Sequence, residues 1–166
     1  MGVSSARLLP ERPPFIKRGK SFGRFAVGTR YERKVQEYLA LLVLGRAELD
    51  LIPSPWIEFQ DSSGRRWCQP DAVILERSGG IGVIYEVKYQ HTEQAWWQLK
   101  CLYQPVLHVL FPETHFGLME LVHWHDPLIH FPEPYDLTSS PWRIPSASRI
   151  AVHIFNPARA GRFPPS

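Results

Sequence analysis

Apolar positions change period several times along this chain, and each change marks an element. Val35, Leu39, Leu42 and Val43 recur at helical spacing, which predicts a helix with one apolar face running to about Leu44. Thr29 stands where an N-cap is wanted, Glu32 three residues on completes a capping box, and Gly45 is placed to end the helix. Pro53 and Pro55 then precede Trp56-Ile57-Glu58-Phe59, which alternates like an edge strand, and Asp61-Ser62-Ser63-Gly64 reads as a turn. Two β-rich runs follow, Trp67 to Leu75 and Ile81 to Tyr89, separated by the hairpin signal Ser78-Gly79-Gly80. From about Thr92 to Phe111 the pattern is helical again, with Thr92 as cap and Trp96, Leu99, Leu102 and Val106 on one side. Pro105 predicts a kink or an early end there. His115–Trp124 reads as a strand, a Pro-rich loop runs through Pro145, and a last strand covers Arg149–Phe155. The sum is an α/β fold of order αβββαβ, a central mixed sheet flanked by helices.

Residues 1–25 are rich in Pro, Arg and Ser without sustained period, and predict an extended arm ahead of a domain spanning 26–156. Residues 157–166 form a Pro/Arg tail. A chain of 166 residues is long enough to bury a substantial core. Apolar stretches such as Leu39–Leu44 are far too short to cross a bilayer, and no signal-peptide pattern follows the start. The expectation is a cytoplasmic protein with no membrane partner. Cys68 and Cys101 lack metal-ligand spacing and are expected to be reduced and buried. The net charge of +3 conceals an asymmetry: Arg7, Arg12, Lys17, Arg18, Lys20, Arg24, Arg30, Arg33 and Lys34 are opposed in that stretch only by Glu11 and Glu32. Such a basic arm is suited to phosphate contact, and equally to being a solvated tail.

The hairpin carries the chemistry. If Asp71 lies opposite Glu86, the turn centres between Ser78 and Gly79, where the turn residues are. Opposed residues of an antiparallel pair share a sheet face, and Glu86 and Lys88, two apart, share it as well. Val83, Tyr85 and Val87 then point the other way. Two carboxylates side by side repel unless one is protonated or a cation lies between them. A divalent ion with oxygen ligands, Mg²⁺ or Mn²⁺, resolves the conflict, with the Val87 carbonyl as a further ligand. Such an ion activates water and neutralises charge on a phosphodiester, and Lys88 is placed to assist the attack.

Pro70-Asp71 followed by Glu86-Val87-Lys88 on the next strand resembles the PD-(D/E)xK, or restriction-endonuclease-like, nuclease superfamily. Gly28-Thr29-Arg30-Tyr31-Glu32-Arg33 looks like the first-helix segment of Holliday junction resolvases and related enzymes. The resemblance covers roughly Gly28 to Leu110. It implies a metal-dependent nuclease acting on DNA in recombination, repair or mobile-element processing, leaving 5′-phosphate and 3′-hydroxyl ends. Glu32, Asp71, Glu86 and Val87 would hold Mg²⁺ or Mn²⁺. Gln98, with Gln94 as second choice, matches the glutamine that many members carry on the helix after the lysine. Tyr103 lies five residues beyond Gln98, one more than the Gln-xxx-Tyr spacing of RecB-like members, so that tyrosine's role is not carried over. Expected partners are DNA and either a second copy of the chain, as for a junction resolvase, or a recombinase or transposase like that of Tn7-type elements.

Three rival readings remain open. The chain could keep such a fold as a non-catalytic nucleic-acid-binding or assembly protein, although clustered acids would then serve nothing. RNA as substrate is compatible with the composition. His123-Trp124-His125-Asp126 invites a metal reading, but no second ligand pair supports it and structural histidines are expected. Trp96 and Trp97 cannot both point inward from one helix, so one of them is expected at the surface, where it could stack on bases; core packing or a protein interface is the more ordinary role.

Overall fold

In the computed structural model, which describes residues 2–16, 24–129, 131–141 and 149–156, the predicted first helix is α1, Arg24–Val43. Tyr31, Val35 and Leu39 on one face are fully buried. The helix begins before the expected cap, so Thr29 and Glu32 sit within it and the capping box is not formed. Nothing in Arg24–Gly28 forbids helix, and packing of an apolar face outweighs a cap worth about 1 kcal/mol. At the other end Gly45 takes φ +79°, the left-handed conformation that ends helices and suits glycine.

Among the described residues the strands form two sheets. The larger has the order β2-β5-β6-β7-β9-β8, with β2 Leu49–Pro53, β5 Ala72–Glu76, β6 Ile81–Gln90, β7 His115–Trp124, β8 Tyr135–Thr138 and β9 Ile150–Ile154. β5 runs antiparallel to both its neighbours, β2 and β6, whereas β6, β7, β9 and β8 run parallel. The sheet is therefore mixed, and helices cover both faces. Against α1 lie Ala72, Ile74, Val83, Tyr85, Val87, Met119, Leu121 and Ala151. Val73, Ile84, Leu118, Val122, Ile150 and Val152 point the other way, onto Leu99, Tyr103, Val106 and Leu107 of the second helical region. Burial on both faces explains why Phe116 to Val122 is continuously apolar apart from Gly117 and Glu120.

The smaller sheet has the order β1-β3-β4, all antiparallel, from Ser5–Leu9, Trp56–Asp61 and Gly64–Cys68. It revises three expectations. Part of the presumed arm is folded: β1 pairs with β3, Arg7 is ion-paired to Glu58 at 3.0 Å, and Arg12 lies over Trp56. Lys17, Arg18, Lys20 and the tail 157–166 lie outside the described residues. The run Trp67–Leu75 is two strands in different sheets, because Gln69-Pro70 breaks it and proline supplies no ladder N–H. The strand heading the main sheet is Leu49–Pro53 rather than Trp56–Phe59; too short and too little alternating to stand out, it is fixed by pairing with β5.

The second helical region is α2 Glu93–Trp97, a π-helical stretch Gln98–Tyr103, and α3 Gln104–Leu110. Thr92 caps it as expected, its hydroxyl accepting from the Ala95 N–H. Pro105 sits at the start of α3 and is accommodated without a break. No described helix is long and apolar enough to cross a membrane. Both cysteines are free; Cys68 is buried, with its thiol pushed up to about 12 by desolvation, but Cys101 is only partly covered.

Candidate active site

The β5–β6 ladder pairs Ala72 with Tyr85, Val73 with Ile84 and Ile74 with Val83, a register that, continued one residue, sets Asp71 against Glu86. Ile84, two residues before Glu86, and Val73, two after Asp71, both face the second helical region. The two carboxylates therefore share that face with Lys88, while Val87 packs toward α1. Lys88 Nζ is in direct contact with Glu86 Oε1. Asp71 Oδ2 accepts the Val87 N–H at 2.6 Å, which ties the tip of β5 to the acid-bearing strand.

Asp71 occupies the corner where the chain leaves the small sheet for the large one. Its carbonyl accepts from Ser54 N–H at 3.0 Å, Ser54 Oγ at 3.3 Å and Gln36 Nε2 at 3.5 Å. Gln36 also reaches Ser54 Oγ at 2.7 Å, so α1 and the β2–β3 turn together fix the backbone at Asp71.

Electrostatics follow from crowding. Desolvation first, then Glu86 and Glu32, push the Asp71 carboxyl well above the usual range. Burial likewise raises Glu86, with Lys88 and the Tyr103 hydroxyl opposing the shift. Glu32, part-buried on α1, is raised by burial and pulled back by Lys88, so it lies within electrostatic reach of the group.

Gln98 Nε2 donates to the Tyr103 hydroxyl at 3.0 Å, and that hydroxyl donates to the Gln69 carbonyl at 3.2 Å. The five-residue spacing from Gln98 to Tyr103 is the spacing a π-helix aligns, since its hydrogen bonds run from i to i+5. Tyr103 therefore stands beside Glu86, and its phenol is held protonated by burial and by Glu86 and Asp71. Gln94, the second choice, is exposed on α2.

Two further groups escaped the sequence. Glu120 on β7 is the register partner of Glu86 and is fully buried, as is His91, whose Nδ1 contacts its carboxylate. The Thr92 N–H donates to Glu120 as well, at 3.3 Å. An acid within an apolar strand run was the available signal. Of the two histidines in the His123–Asp126 run, His123 stacks on Tyr89 at 4.9 Å between ring centres, and His125 Nε2 meets the Tyr135 hydroxyl at 2.9 Å.

Whether these residues suit a cation can be judged from their unpaired atoms. Glu86 Oε2 and Gln98 Oε1 are buried acceptors with no hydrogen-bond donor. Buried acceptors without donors, next to two acids that repel, are the conditions a hard cation relieves. Among the described residues no three His, Cys, Asp or Glu side chains come together to hold a metal ion. Asp71, Glu86 and the Val87 carbonyl offer only oxygen, the donor type Mg²⁺ or Mn²⁺ takes when water and substrate oxygens complete its shell. Glu32 on α1 acts electrostatically on Asp71 and on Lys88.

No family model, curated protein or solved structure matches this chain.

Proposed function

We propose that this protein is a divalent-metal-dependent nuclease hydrolysing DNA phosphodiester bonds, an endonuclease of the PD-(D/E)xK type. One observation carries the reading: Asp71, Glu86 and Lys88 meet on one face of adjoining strands, beside a buried carboxylate oxygen that has no donor. The succession α1, β2, β5, β6, α2 and β7, antiparallel up to β6 and parallel beyond, supports a restriction-endonuclease-like core.

Asp71, Glu86 and the Val87 carbonyl would hold Mg²⁺ or Mn²⁺, which when bound supplies an acidified water and charge neutralisation at phosphate. The protein's own part is positional. The Val87 N–H and the donors on the Asp71 backbone fix that carboxylate, while Tyr103 and Gln98 bear on Glu86 from the opposite helix. Lys88 offers the ammonium at the reacting phosphate, where fixed positive charge favours the pentacovalent state over the ground state.

The test is cleavage of plasmid, linear, branched and single-stranded DNA with Mg²⁺ or Mn²⁺, wild type beside Lys88→Ala. Cleavage by wild type and a loss of about a hundredfold or more in the variant are expected. No cleavage of any of these by wild type, or equal cleavage by both, overturns the reading.

A further inference from the structure

The outer face of the small sheet gathers arginines and aromatic rings. Ile57, Phe59 and Cys68 turn inward, into one core with Leu99, Tyr103 and Leu107. Alternation therefore sends Glu58 and its register partners Arg7 and Trp67 to the other side, together with Trp56, Gln60 and Arg65. Side-chain contacts agree. Arg7 pairs with Glu58 at 3.0 Å. Arg7 first, then Arg65 and the Trp67 indole, hold the Glu58 carboxyl below its usual range, so all three reach it. The segment after β1 returns to the same face: the Arg12 guanidinium lies 5.9 Å from the centre of the Trp56 ring, and Phe15 meets Trp67 edge-on at 4.8 Å between ring centres. Two features exceed what packing needs. Phe15 is held against Trp67 and is still 62% exposed. Arg12 Nε is buried with no acceptor among the described residues.

A guanidinium donor without an acceptor and an aromatic ring held in water suit an occupant that carries anions and flat faces together. Charge agrees. Arg7, Arg12 and Arg65 stand against Glu58 on the face and the exposed Glu11 beside it in sequence. Past Ile16 the sequence continues with Lys17, Arg18 and Lys20. Arg7 and Arg65 line one cavity of about 230 Å³ with Ser5, Glu58 and Gln60, which leaves room for a phosphate. A nucleic-acid strand brings phosphates to guanidiniums and bases to an exposed ring. An anionic membrane brings charge and no flat partner for Phe15. We infer that this face binds a single nucleic-acid strand, its phosphates on Arg7, Arg12 and Arg65 and a base stacked on Phe15. Asp71 follows Trp67 by four residues, at most about 14 Å of extended chain, so a strand held here passes near the candidate active site. The binding needs no metal, and it goes beyond the nuclease reading.

The test is fluorescence anisotropy of the full chain in EDTA, where metal-dependent cleavage cannot intrude, with labelled oligo(dT) and an abasic strand of equal length at about 50 to 200 mM salt. Phe15 and Arg65 are exposed, so replacing them leaves the fold intact. Phe15→Ala should weaken oligo(dT) about fivefold or more and leave the abasic strand unchanged, while Phe15→Trp retains the affinity. Arg12→Gln and Arg65→Gln should each weaken both strands and lower the slope of log affinity against log salt by about 0.7. Arg77→Gln, which removes a cation paired to Asp50 in the large sheet, should change neither. No binding of oligo(dT) by wild type, a Phe15→Ala variant that binds as wild type does, or arginine variants with the wild-type salt slope would overturn the proposal. So would tighter binding to phosphatidylserine vesicles that is lost in the same variants. Binding through this face with no cleavage under Mg²⁺ or Mn²⁺ would sink the nuclease reading alone; cleavage by a protein whose binding ignores these residues would sink this one alone.

Discussion

Replacing Asp71 with Asn should make the metal-free protein more stable and abolish its stabilisation by metal. Continued one residue past the Ala72–Tyr85 pair, the antiparallel register sets Asp71 opposite Glu86, where side chains begin about 5 Å apart. Two charges at that distance, in an effective dielectric of about 20, repel by about 3 kcal/mol. Lys88, in contact with Glu86, offsets part of this, leaving about 1–2 kcal/mol. The sign follows from the titration. The Asp71 carboxyl is raised in the folded state, so the folded protein holds that proton more tightly than the unfolded chain does. Its contribution is full below the ordinary carboxylate range and is lost as pH rises through the raised value. Asparagine keeps an acceptor for the Val87 N–H and removes the charge. At pH 8 without metal, Asp71→Asn should therefore melt about 2–8 °C higher, and near pH 4 the two proteins should converge. With Mn²⁺ at a hundred times Kd the wild type gains about 2.7 kcal/mol and the variant almost nothing. Calorimetric melts at both pH values, with and without Mn²⁺, measure all of this. A variant less stable than wild type at pH 8 without metal, or gaining equally from Mn²⁺, would refute the reasoning.

Other perturbations probe the parts that hold the site. A Cβ on Gly82 would lie 2.8 Å from Phe116 Cε1 and 2.9 Å from Leu75 Cδ2, so Gly82→Ala should cost about 1–3 kcal/mol in urea unfolding; an unchanged midpoint would contradict that packing. His91→Ala leaves the buried Glu120 carboxylate without its ring partner and should cost about 3–5 kcal/mol at neutral pH, read from the same unfolding curves. Tyr103→Phe removes the hydroxyl that links Gln98 to the Gln69 carbonyl near Glu86; it should lower stability by about 1 kcal/mol and weaken Mn²⁺ binding about tenfold by titration calorimetry, whereas unchanged metal affinity would leave Tyr103 a packing residue.

The central hairpin was legible because two local signals agreed. The glycines at 79 and 80 fix where the chain turns, and alternation of Val83, Tyr85 and Val87 against Ile84, Glu86 and Lys88 fixes which side each residue takes. A register consistent with both leaves little freedom, and the ladder follows it. What the sequence concealed depends on distant partners. Leu49–Pro53 and Tyr135–Thr138 are short strands that exist because β5 and β9 offer edges to pair with. Ser5–Leu9 lies in a stretch whose composition reads as arm, yet β3 captures it. Tyr103 misses the Gln-xxx-Tyr spacing of an α-helix by one residue, and the local backbone is a π-helix instead, a departure the side-chain pattern does not announce. Gln36 and Ser54 bear on Asp71 from 35 and 17 residues away in sequence, so only the fold could bring them into view.

Crystals soaked in Mn²⁺ and measured at the manganese absorption edge test the central claim most directly. The account predicts an anomalous peak about 2.0–2.3 Å from carboxylate oxygens of both Asp71 and Glu86 and from the Val87 carbonyl, with water completing the shell. A peak elsewhere, or none at those oxygens at saturating Mn²⁺, would contradict it.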